Sequence, residues 1–143
     1  MKLIIMGKPI AKKRPRFVRK TGRAYDDQAS ESGRFLLTVR EQINAKQVEG
    51  FFIAGKPLIA SFFFYFEVPK SYPKRMHKAV ESGQLIPHTK KPDLSNLVKF
   101  AEDILNNELW KDDSQIAESF CSKYYALKAR TEIILTEWKG VEK

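Results

Sequence analysis

Asp93, Asn96, Lys99, Asp103, Asp112 and Asp113 fall close together in this chain of 143 residues, and their types suit the hydrolysis of a phosphodiester. That reaction needs a hard divalent cation held by oxygen ligands, an activated water, and positive charge to offset the transition state. Asp93 and Asp113, with Asp112 nearby, offer carboxylates, and Lys99 can supply a second positive charge. Each residue also has a plainer use. Asp93 could be only a helix N-cap, and Lys99 and Asp103, at i and i+4, could form a surface ion pair. Asp112 and Asp113 could be turn residues, and Asn96 could simply be exposed.

The elements that must position these residues are readable from periodicity. After Pro92 a helix is expected from Asp93 to about Asn106, with Leu94, Leu97, Val98, Ala101, Ile104 and Leu105 on one apolar face. A helix of about fourteen residues rises roughly 1.5 Å per residue, so a short reversing loop can bring Asp112 and Asp113 back beside it. The remaining elements supply a sheet for it to pack on. Residues 2–6 read as a short strand, and Asp26 and Asp27 are candidate caps for a helix running to about Lys46. Residues 58–68 form a strand apolar on both alternating faces, which implies cover on both sides, by helices on one and by a second subunit on the other. Pro69, Pro73 and Pro87 bracket a basic connection with a short helix around Met76 to Glu81. Strands at about 115–127 and 131–138 are expected to form a hairpin through Lys128, Ala129 and Arg130, with Trp110 and Trp138 in the core. The order β-α-β-α-β-β predicts a single α+β domain over residues 1–143, with a mostly antiparallel or mixed sheet and helices on one face.

Composition narrows the partner. An apolar fraction of 43% fits a folded globular domain. A net charge of +9 makes a polyanion the first partner to consider, with nucleic acid ahead of an acidic membrane surface. The charge comes in blocks. Lys2, Lys8, Lys12, Lys13, Arg14, Arg16, Arg19, Lys20 and Arg23 precede the first acid; Lys70, Lys74, Arg75, Lys78, Lys90 and Lys91 follow the apolar strand; acids then dominate from Asp93 to Glu118. A protein that only clamps phosphates gains nothing from clustered carboxylates, whereas one that cuts phosphodiesters needs them to hold a cation. Basic flanks around an acidic centre therefore suggest a nuclease, with Lys12, Lys13, Arg14, Arg16, Lys74, Arg75, Lys90 and Lys91 as candidate DNA contacts. The lone Cys121 cannot form an internal disulfide, and no apolar run is long enough to span a bilayer, so the cytoplasm is the expected compartment. His77 and His88 lack a zinc-binding spacing, and Cys121 reads as a small core residue.

The central motif, Lys91-Pro-Asp93-Leu-Ser95-Asn96-Leu-Val-Lys99, then Asp103-Ile-Leu, then Trp110-Lys-Asp112-Asp113-Ser-Gln115, resembles the RusA family of Holliday-junction resolvases. The likeness extends to Gly7-Lys-Pro9 and Lys13-Arg14-Pro15-Arg16 near the start and to the Ile133 to Glu137 strand near the end. It implies a homodimer that binds four-way DNA junctions and nicks symmetrically related strands with Mg2+, or Mn2+ in its place. By position, Asp93 and Asp113 would be metal ligands, Asp112 a supporting carboxylate, and Lys99 a catalytic or phosphate-contacting cation, with Ser95, Asn96 and Asp103 in support. Ser95 departs from the family pattern, which has an aspartate there. A neutral hydroxyl supplies no charge to a metal, so either Asp103 or Asp112 completes the site or turnover is reduced. The alternative is a junction-binding protein of the same fold with a weakened or inactive site.

Overall fold

A computed structural model describes residues 1–13, 16–18, 23–25, 28–44 and 54–140. The expected caps Asp26 and Asp27, the DNA-contact candidate Arg14, and the helix end near Lys46 lie outside the described residues. The elements are β1 (Lys2–Met6), β2 (Arg16–Val18), β3 (Arg23–Tyr25), α1 (Ala29–Asn44), β4 (Leu58–Glu67), α2 (Lys74–Glu81), α3 (Leu94–Leu105), β5 (Ile116–Ala126) and β6 (Arg130–Glu137). They form an α+β domain whose four-stranded sheet runs β1-β6-β4-β5, beside the small β2-β3 ribbon. No helix among the described residues is long and apolar enough to cross a membrane.

The expected hairpin between the last two strands is not formed. β4 lies between them, parallel to β5 and antiparallel to β6. The most apolar strand takes the centre, where it gains a ladder on each side. The link Leu127–Ala129 has to step over that strand, a lateral distance of roughly 10 Å, which a short extended link can span. Its Leu-Lys-Ala sequence also lacks the Asn-Gly or Asp-Gly signal of a tight hairpin.

Alternation along β4 sets the layers. Leu58, Ala60, Phe62, Phe64 and Phe66 are buried beneath the helices, while Ile59, Phe63 and Tyr65 on the other face are half-buried. From α3, Leu97, Phe100, Ala101 and Leu105 enter the core. The Phe100 ring meets Phe35 of α1 edge-on at 5.4 Å. A bidentate Arg40–Glu108 pair, at 2.7 and 3.1 Å, ties α1 to the turn after α3. The edge strand β1 is covered by α1, whose Gln42 side chain accepts from the Ile4 amide at 2.9 Å and donates to its carbonyl at 2.6 Å. Trp110 is fully buried as expected, whereas Trp138 is 42% exposed. Past the end of β6, its indole donates to Glu118 at 3.2 Å.

Candidate active site

Asp93 stands at the N-cap position of α3 with extended backbone angles, but its side chain makes no capping hydrogen bond. Its carboxylate is not used to terminate the helix. The turn before it is held from the sheet: Lys123 of β5 donates through Nζ to the carbonyls of Lys90 at 2.7 Å and Pro92 at 2.9 Å. Lys90 and Lys91 are exposed beside Asp93 as a result. Sequence reading passed over Lys123 because a lysine on a strand carries no spacing signal.

Further along α3, the surface ion pair that the i, i+4 spacing of Lys99 and Asp103 allows is not formed. Asp103 takes Lys12 as its partner at 2.6 Å, and the Lys12 amide donates to the Asn96 carbonyl at 2.9 Å. The basic segment after β1 is thereby laid along the polar face of the helix. Lys99 is exposed and makes no ion pair among the described residues. Lys13 reaches Glu31 at 3.6 Å. Ser95 is exposed in the first turn of α3, and Lys74 and Arg75 are exposed on α2. Arg16 lies in the β2 ribbon.

After α3 the chain reverses through an Asn106–Trp110 bridge into a short 3-10 turn over Asp113–Gln115. Asp112 accepts from the Ser114 amide at 3.0 Å, and the buried Gln115 accepts from the Lys111 and Asp112 amides, each at 3.0 Å. Asp112 is therefore used as a cap. Asp113 is held differently. A buried indole N–H needs an acceptor, and the one that Trp110 finds is the Asp113 carboxylate, at 2.6 Å.

Glu102 is the carboxylate that the sequence motif did not single out. Burial pushes its carboxyl up first, and the nearby charges of Asp113 and Asp103 add to that. Its position is the signal that could have found it: it follows Ser95 and Lys99 on one helix face at i+7 and i+3. The two ends of this acidic ridge are separate, since positions 93 and 102 differ by about 13 Å of helical rise. Among the described residues, no three Asp, Glu, His or Cys side chains form a group that could hold one metal ion.

Comparison with known proteins places this arrangement in context. The family described as endodeoxyribonuclease RusA matches residues 6–136. The chain is also similar to the protein named "Uncharacterized protein YqaN" of Bacillus subtilis (strain 168), at 32% identity over 139 residues and 96% of each chain.

Proposed function

Because the chain belongs to the RusA family of endodeoxyribonucleases, we propose that it resolves Holliday junctions by metal-dependent phosphodiester hydrolysis, acting as a homodimer that makes paired symmetric nicks. The observation that carries this reading is the attachment of the basic segment to the acidic helix through Lys12 and Asp103 at 2.6 Å. It joins two charge blocks far apart in sequence, so that a phosphate gripped by Lys12 or Lys13 lies over the carboxylates of α3.

The donor set fits Mg2+ or Mn2+, because Asp93, Asp113 and Asp112 offer only oxygen. Mg2+ retains several waters and needs only one or two protein carboxylates, so a closed cage of three side chains is not required. Carried over from the motif, Asp93 and Asp113 would hold the ion from the two ends of α3, with Asp112 in support and Glu102 adding negative charge beside Asp113; for both to touch one ion, the two carboxylates would have to be drawn together around it. When bound, the ion supplies Lewis acidity and an activated water. The protein's own part is to keep Asp113 oriented through the Trp110 indole, to leave the Lys99 ammonium available for the charge on the phosphate, and to seat the backbone on Lys90 and Lys91. Ser95 favours a second reading, a resolvase fold kept for junction binding alone.

Cleavage of a synthetic four-way junction, compared with linear duplex, with and without Mg2+ or Mn2+, separates the two. Paired metal-dependent nicks, reduced at least a hundredfold by Asp113→Asn, are expected. Tight junction binding with no cleavage under either metal would leave only the binding protein.

A further inference from the structure

A cavity of about 310 Å3 lies beside the site, lined by Lys8, Tyr72, His88, Lys90, Lys91 and Tyr125 among others. We infer that it receives one unstacked DNA base, with the ring against Tyr72 and the adjoining phosphates on Lys8, Lys90 and Lys91. The inference rests on the reading of the chain as a DNA enzyme and adds to it a subsite for the strand next to the cleaved phosphate.

Size and wall chemistry both favour a base. The volume is at the lower end for small-molecule sites, enough for a ring system and too little for a large cofactor. Aromatic walls with lysines at the rim are how proteins hold single strands: rings stack on the bases and cations follow the backbone. Tyr72 is half-buried, its ring at 65° to Tyr125 with centroids 5.8 Å apart, and the two hydroxyls are 3.3 Å apart. The Lys90 ammonium is 5.6 Å from the centre of the Tyr72 ring. Glu67 also lines the cavity. Its carboxylate would repel a phosphate but can accept from an exocyclic amino group, so a base, and not the backbone, belongs beside it.

His88 adds a further aromatic ring to the wall. It is only 8% exposed and stacks on Phe66 at 4.1 Å, yet its buried Nδ1 has no hydrogen-bond partner among the described residues. Burial lowers its pKa, and the charge of Lys123 lowers it further, which keeps the imidazole neutral as a ring in the wall. The wall is rigid. The His88 amide donates to the Lys123 carbonyl at 3.0 Å, and the Tyr125 amide donates to the Ile86 carbonyl at 2.9 Å. The Lys123 side chain holds the turn that carries Lys90, and Asp93 follows directly, so cavity and acidic helix share one support.

The test compares binding of a short labelled single-stranded oligodeoxycytidylate, whose bases carry an exocyclic amino group, with that of an abasic strand of equal length, by fluorescence anisotropy in EDTA. Both carry the same phosphates, so the difference isolates the base. Wild type should prefer the base-bearing strand by about tenfold; Tyr72→Ala should abolish that preference and Tyr72→Phe retain it. Equal binding of the two strands by wild type, or a preference that survives Tyr72→Ala, overturns the inference. The wild-type comparison decides even if Tyr72→Ala fails to fold. Junction cleavage with no base preference removes the subsite alone, whereas a base preference without junction cleavage removes the resolvase reading and keeps the subsite.

Discussion

In the proposed site, the single side chains of Ser95 and Asp113 would set the strength of metal binding. In the first turn of α3, Ser95 is exposed and places a neutral hydroxyl where the family motif has a carboxylate. Glu102 compensates for charge but not for place, because it lies about 10 Å further along the helix by rise. Metal affinity at an oxygen site is tuned by the number of charged ligands. Ser95→Asp should therefore lower the Mg2+ concentration for half-maximal junction cleavage by about tenfold, read from initial rates across a metal titration. The fold should tolerate it, since an acid in the first turn of a helix is favoured by the helix dipole. An unchanged metal requirement would show that position 95 does not face the ion. Asp113 needs no such repair. Its orientation is set by a buried indole that has to donate to something.

At the scale of elements, one strand supports the turn that leads into Asp93. β5 pairs with β4 along its length, and residues 86–88 lie along its other side through a Pro87–Tyr124 bridge. From this position Lys123 donates to two carbonyls in the turn before Asp93. Lys123→Met keeps the length and apolar stem of the side chain and removes its donors. It should cost about 1–3 kcal/mol in chemical denaturation and reduce junction cleavage at least tenfold by loosening Asp93. A loss of stability with full cleavage would mean that the turn does not position Asp93. Lys123 also shows where sequence reading ended. α3 and its apolar face were legible because a helix reports itself through local periodicity, and β4 through its run of phenylalanines. The neighbours of β4 were not, because strand pairing is non-local and the short link between β5 and β6 looked like a hairpin. In the same way, Asp93 and Asp113 stood out by motif. Glu102 acquired its place only when the chain reversed beside the helix, and Lys12 only when its segment crossed the polar face of α3.

For the molecule as a whole, charge and shape pull in different directions. A net charge of +9 favours DNA and opposes association of two copies through Coulomb repulsion. A dimer therefore needs an apolar surface to offset that repulsion, and the sheet face opposite the helices offers one. Register places Phe120 beside Ser61, Ile134 on the other side of Ser61, and Ile4 beside Glu132. Ile4, Met6 and Phe120 on this face are 38%, 58% and 62% exposed, and Ile59, Phe63 and Tyr65 are covered only in part. Glu132 is not an obstacle there, because Lys2 at 2.7 Å and Arg130 at 3.3 Å already neutralise it. A twofold contact presents the same patch to itself, so one introduced acid meets its own copy and acts twice. Phe120→Glu should shift sedimentation from dimer toward monomer at micromolar concentration, with little change in the protomer's far-UV spectrum because the side chain is exposed. If two active sites must be held together to cut both strands, the same variant should convert paired nicks into single ones on a four-way junction. A variant that remains dimeric and still makes paired nicks would place the twofold contact elsewhere and leave this sheet face without a role in assembly.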